Sequence, residues 1–226
     1  LLRSNARVFK ESYGPGYDGN EDDICWLPSN GGDITIIEKS LGRYNPHFVK
    51  KQTDRIYLTH FNGDLVSIKW DGTDEKKHIH LTGITTFGGI PTKNGRPDPE
   101  KMKCILVENE EVDKEREMSL PSPASWITIS PDGDKALAQV NNDIFMITVP
   151  QTGKLSNISV ADAANAEFPS RKLTEIGGEF PYWENDGKNV HWSLGSTHFT
   201  YDIDKAQNFE DSVIDAKKAE AKRIED

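Results

Sequence analysis

One pattern recurs along this chain and limits its fold more than any other feature. Ile129-Ser130-Pro131-Asp132-Gly133 leads through Ala136-Leu137-Ala138 to Asp143-Ile144-Phe145-Met146-Ile147. The same plan returns at Trp183-Glu184-Asn185-Asp186-Gly187, Val190-His191-Trp192 and His198-Phe199-Thr200-Tyr201. The spacing is constant from Asp132 to Asp186, Gly133 to Gly187 and Phe145 to Phe199. Alternating apolar positions in short runs mark strands with one buried face. Asn-Gly or Asp-Gly between such runs favours a tight hairpin, because both residues tolerate positive φ.

The plan extends backwards. Pro46-His47-Phe48, Asp54-Arg55-Ile56-Tyr57-Leu58 and Asn62-Gly63-Asp64-Leu65-Val66 repeat it, and Ala6-Arg7-Val8-Phe9 with Asp23-Ile24-Cys25-Trp26-Leu27 repeats it again. Fourth strands end in Leu-Thr at Leu81-Thr82 and Leu173-Thr174. The units fall near 1–42, 43–83, 123–175 and 178–204, and Cys25, Val66, Phe145 and Phe199 are expected in equivalent places in their third strands. Such units predict an all-β fold of the β-propeller type, with about four four-stranded blades in an incomplete ring. Residues 1–208 would form this fragment, with an insertion near 83–122 that holds one clear strand, Cys104-Ile105-Leu106-Val107. Residues 209–226, rich in Lys, Glu and Ala, predict a charged helical tail or linker. The chain starts at Leu1, inside a repeat, which reads as a piece of a longer polypeptide.

Composition narrows the partners. The chain has 226 residues and a net charge of -10, which argues against nucleic acid, whose phosphates need a concentrated basic face. No apolar run approaches the roughly 18 residues of a membrane span, so no membrane insertion is expected. Cys25 and Cys104 make no disulfide framework and no zinc pattern, and leave open one disulfide or two thiols.

Candidate sites are sparse. First strands would line a central channel, which makes Tyr44 and His47 ligand-binding candidates. Trp126 and Trp183 stand at strand positions that serve either packing or a ligand platform. His78 and His80 share one face of a strand and could reach one ion, although exposed edge histidines are the simpler reading. Asp132, Asp143 and Asp186 read as turn residues. No Gly-x-Ser-x-Gly elbow, phosphate loop or His-Glu-x-x-His helix is present. No catalytic residue and no cofactor is assigned to this chain.

The Ser130-Pro131-Asp132-Gly133 turn, Trp183, Leu27-Pro28-Ser29-Asn30-Gly31-Gly32 and Val149-Pro150-Gln151-Thr152-Gly153 resemble TolB-like propeller repeats. Lys51-Gln52-Thr53-Asp54 and Glu184-Asn185 depart from that pattern. Gly177-Gly178-Glu179-Phe180-Pro181-Tyr182-Trp183 and Phe199-Thr200-Tyr201-Asp202 resemble the last blade before the barrel in bacterial propeller–amidohydrolase fusion proteins. This resemblance implies a non-catalytic module of a larger hydrolase that binds protein or peptide or gates substrate access. Alternatives are part of a metal-dependent amidohydrolase, with zinc in a barrel outside this chain, or the gating propeller of a prolyl oligopeptidase-like serine peptidase. The partner would be the rest of the same polypeptide or another protein completing the propeller. By family analogy the location would be periplasmic or extracellular.

Overall fold

The computed structural model describes residues 2–3, 6–11, 22–84, 92–93, 96–97, 121–162 and 166–225. β1 (Leu2–Arg3), β2 (Ala6–Glu11), β3 (Asp23–Pro28) and β4 (Thr35–Lys39) form a first sheet in that order. β5 (Arg43–Val49), β6 (Gln52–His60), β7 (Asp64–Lys69) and β8 (Lys76–Thr82) form a second. A short pair follows, β9 (Thr92–Lys93) with β10 (Arg96–Pro97). The third sheet contains β11 (Trp126–Ile129), β12 (Lys135–Val140) and β13 (Asp143–Thr148). β14 (Ser156–Ser159) leaves it and joins the second sheet, parallel to β8, while β15 (Ser170–Lys172) returns to β13. β16 (Glu179–Trp183), β17 (Asn189–Leu194) and β18 (Thr197–Asp202) make the fourth sheet, and α1 (Ile203–Glu225) follows directly.

The hairpins follow from turn chemistry. Gly63, Gly133 and Gly187 sit at φ 90°, 84° and 76°, where a side chain would strain the backbone. Ser130 Oγ accepts the N–H groups of Gly133 and Lys135, both at 3.1 Å, which closes the turn between β11 and β12. Asp202 Oδ1 accepts the Lys205 N–H at 2.9 Å and caps α1. The helix therefore begins at Ile203, earlier than the boundary at 209 expected from composition. No described helix is long and apolar enough to cross a membrane.

The expected propeller is corrected by this topology, and the TolB-like resemblance with it. Equal four-stranded blades are not found: besides the short pair, the sheets hold four, five, four and three strands, none of them closed. A parallel strand, β14, sits in the second sheet, where a blade would hold only antiparallel ones. The sequence pattern marked local hairpins correctly, but hairpins do not determine how strands are shared between sheets. The strand Cys104–Val107 and Cys104 itself lie outside the described residues.

The sheets pack in series. Ile24 of the first meets Ile56, Leu58, Val66 and Ile68 of the second. Tyr57, Leu65, Ile79 and Leu81 meet Ile127, Ile129, Phe145 and Ile147 of the third. Leu137 and Ile144 of the third meet Val190 and Trp192 of the fourth. Both faces of β7 are thus buried, whereas β17 buries only Val190 and Trp192. Burial on both faces explains why the β7 sequence is nearly continuous in apolar residues.

Candidate functional site

Three of the four ligand-binding candidates are committed to the scaffold. The β11–β12 register and the Ser130 N–H bond to Lys135 turn the N–H and C=O groups of Ile127 and Ile129 away from β12. Side chains of the second sheet cover this edge. Tyr44 Oη donates to Ser125 C=O. Asn45 Nδ2 and Thr59 Oγ1 donate to Ile127 C=O at 3.0 and 2.7 Å, and the Ile129 N–H donates to His47 Nε2 at 3.0 Å. Burial pushes the Tyr44 hydroxyl up to about 12. Burial also holds the His47 imidazole down at about 4, against a smaller opposing effect of its bond to Asn45 C=O. Trp183 Nε1 donates to Thr128 C=O at 2.9 Å. Trp126 packs near Tyr44, with ring centroids 6.2 Å apart. Geometry thus makes this group a joint between sheets.

His78 and His80 do not converge on one point. His78 falls at a register shift between β7 and β8, where its Nε2 lies 2.7 Å from Ser67 Oγ and its ring stacks on Tyr57. Burial, then the nearby Arg55 and Lys76 charges, holds it at about 4. His80 Nδ1 instead bonds Asp64 Oδ1 at 2.6 Å. Among the described residues no group of three or more His, Cys, Asp or Glu is placed to hold a metal.

A buried carboxylate beside a half-exposed imidazole invites a catalytic reading, but the chain repeats the arrangement. Asp23, Asp64 and Asp143 each begin the third strand of their sheet. Asp23 pairs with Lys39 at 2.8 Å; these two residues lie opposite each other in register, as do Asp64 and His80. Asp143 takes Lys172 Nζ at 2.7 Å and Thr174 Oγ1 at 3.0 Å. One cross-strand clasp, built three times from different donors, is an architectural device.

The remaining concentration of chemistry was not singled out as a site in the sequence. It is the outer face of the fourth sheet. Tyr182 and His191 are cross-strand partners whose rings stack at 4.8 Å, and His191 and His198 stack at 5.2 Å. Tyr182 Oη lies 3.2 Å from His198 Nε2. His191 Nδ1 meets Thr200 Oγ1 at 3.0 Å, and its Nε2 is 3.8 Å from Glu184. Next to these rings, Phe180 is 74% exposed and held at φ 55°, an uncommon conformation for a bulky side chain. The signal in the sequence was the alternation of Val190 and Trp192 with His191 and Ser193, which puts polar rings on the face opposite the core.

No family model matches this sequence, and no curated protein matches it. Among solved structures, an oligogalacturonate lyase in complex with manganese is similar at 12% identity and TM-score 0.43, over 82% of this chain and 41% of that chain. Dihydro-heme d1 dehydrogenase NirN in complex with DHE is similar at 6% identity and TM-score 0.37, over 89% of this chain and 42% of that one. Hsv2 of Kluyveromyces lactis is similar at 9% identity and TM-score 0.35, over 83% and 60%. The chain spans less than two thirds of the length of each. Likenesses this remote carry no argument about function. With the propeller corrected and no metal cluster among the described residues, the gating and amidohydrolase readings lose their support, and the peptidase-propeller alternative falls with the same architecture.

Proposed function

We propose that this chain is a docking module that works by association rather than catalysis. Its contact surface is the outer face of the fourth sheet, and its ligand is a β-sheet face of a partner polypeptide. One observation carries the reading. The second residue of each third strand is Ile24, Leu65, Ile144 or His198. The first three pack beneath the sheet that comes next in the chain. The His198 face occupies the same position in the series, and no described residue buries it.

The composition of that face fits a separable contact. Tyr, His and Thr replace the aliphatic residues of the inner faces, and an amphipathic ring can meet either water or a partner. The test places a photo-crosslinking residue at His198, exposes the chain to extract of its source, and identifies the adduct. One protein species, crosslinked through a strand residue, is expected. The recombinant partner should then bind at least tenfold more weakly to Tyr182→Ser and His191→Ser. Adducts no more frequent at 198 than at Lys154, or unchanged binding by both variants, would sink the proposal.

A further inference from the structure

The fourth sheet is one strand short. β3, β7 and β13 each carry an antiparallel neighbour on the side away from their hairpin partner: β4, β8 and β15. β18 is the matching third strand. Phe199 stands opposite Trp192 as Cys25 stands opposite Phe9, Val66 opposite Leu58 and Phe145 opposite Ala138. No described strand pairs with the far side of β18.

The open groups can be named. The Ile203 N–H bonds Lys188 C=O, which fixes the alternation of the β17–β18 ladder. Phe199 and Tyr201 therefore direct their backbone groups to β17, and His198 and Thr200 direct theirs outward. Thr197, His198, Phe199 and Thr200 are all exposed. Three other edges are blunted. β5 carries Pro46 and two register shifts, β16 carries Pro181 and one, and β11 is covered by side chains. Thr197-His198-Phe199-Thr200-Tyr201-Asp202 has no proline, lysine or bulge, the devices that usually keep an edge from pairing.

We infer that β18 takes up an extended segment of a partner polypeptide as an antiparallel fourth strand that alternates apolar and basic residues. The inference rests on the docking reading in that both assign contact to this sheet, but the ladder carries it rather than the ring cluster. Antiparallel addition follows from the three built examples. The basic pattern follows from charge. Each existing fourth strand brings a cation to an acid of the third: Lys39 to Asp23, Lys77 to Asp64 and Lys172 to Asp143. In β18 the matching position is Thr197 rather than an acid, and Asp202 and Glu210 are already paired with Lys205 and Arg171, so the basic preference follows from the chain's net charge of -10, which also disfavours a second copy as the occupant. Main-chain bonds would supply affinity and the alternating side chains selectivity. The molecule already fills one edge in a related way, with β14 on β8.

The probe is an acetylated, amidated heptapeptide alternating lysine and isoleucine. Amide exchange of the full chain is followed by NMR with and without it. Exchange at His198 and Thr200 is expected to be fast in the free chain and to slow at least tenfold at saturation. Exchange at Phe199 and Tyr201 is slow in both. N-methylation of one alternate set of peptide amides should abolish binding, and of the other set should leave it. A glutamate–isoleucine peptide should bind at least tenfold more weakly. Protection of His198 and Thr200 before peptide is added, equal binding of both methylated sets, or equal binding of the acidic peptide would overturn the inference. Tyr182→Ser separates the two readings, since it should lose partner docking and keep the heptapeptide within twofold.

Discussion

His47 Nε2 accepts the backbone N–H of Ile129 at 3.0 Å while its Nδ1 lies 2.7 Å from Asn45 C=O, so one neutral imidazole joins the second and third sheets. Protonation would remove the acceptor. Burial holds this group at about 4 instead of 6.5. Between those values the unfolded chain binds more protons, so the stability His47 contributes is present above about pH 6.5 and is lost as pH falls through about 4. A complete shift of this size corresponds to about 3 kcal/mol. Urea unfolding at pH 7, 5.5 and 4.5 should show that decline. His47→Gln should lower stability at pH 7 by about 1–3 kcal/mol and flatten the decline. An unflattened slope in the variant would place the titration elsewhere.

Asp64 acts in a lower window. Burial opposes its charge, but hydrogen bonds from His80, Asn62 and Lys77 outweigh burial and hold the carboxyl at about 2 against the usual 3.8. Its contribution is present above about pH 4 and lost as pH falls through about 2. Asp64→Asn should cost about 2 kcal/mol at pH 7. The gap to the parent chain should narrow by pH 3 in chemical denaturation. Asp143→Asn should also destabilise at pH 7, since it carries the same clasp. Neutral stability in both variants would remove the structural role argued for the clasp.

The sequence made the hairpins legible for physical reasons. Ser130-Pro131-Asp132-Gly133 encodes its own turn, because the Ser130 hydroxyl and a positive-φ Gly133 act locally. Cys25, Val66, Phe145 and Phe199 each stand in the third strand of their own sheets. Sheet membership was not legible. Ser156–Ser159 pairs with Ile79–Thr82, far away in sequence, and no local pattern announces that contact. The bonds that Tyr44 and His47 make to Ser125 and Ile129 were not legible either, because a polar residue that covers a distant strand edge looks, in sequence, like one that awaits a ligand. Tyr182, His191 and His198 were hidden for a related reason. They come from three strands, and only the β16–β17–β18 registers bring their rings together.

Gly63 is a sharper test of the Asp64 turn. It sits at φ 90°, and a Cβ there would lie 2.5 Å from Leu81 C=O and 3.1 Å from the Ala124 backbone nitrogen. Neither neighbour is a flexible side-chain end, so the backbone must move. Gly63→Ala should cost about 2–4 kcal/mol, conformational strain and clash together. Gly153→Ala, at φ 70° with no atom within 4 Å of the added Cβ, should cost about 1 kcal/mol. Thermal unfolding of the two variants gives the comparison, and equal losses would show that the Leu81 contact is not limiting.

His78 and His80 yield a prediction about zinc. Each imidazole already has its own partner, Ser67 or Asp64, so recruiting both to one ion would break two half-buried interactions. Adding zinc to the purified chain should leave its melting temperature unchanged. His78→Ala and His80→Ala should each lower stability without altering that response. Metal analysis finding one bound zinc per chain, lost in both variants, would reverse the assignment.

The fourth sheet should be the part of the described fold that opens first. β7 is buried on both faces, but β16–β18 is held to the third sheet by one face, through Val190 and Trp192 against Leu137 and Ile144. Trp192 also stacks on Phe199 at 5.6 Å, so its ring supports both β17 and β18. Trp192→Ala removes that support and leaves a cavity, at a cost of about 3–5 kcal/mol for loss of a buried aromatic. The clusters around Ile56 and Leu65 share no residue with this contact, so the loss should appear as local opening. Amide exchange is the measurement. In the variant, exchange at Val190 and Tyr201 should accelerate at least a hundredfold, while Leu58 and Leu65 should keep their protection to within about a factor of five, given the additivity of distant sites. Equal acceleration in the second and fourth sheets would mean that the sheets unfold as one cooperative unit, and that the last sheet is no more separable than the others.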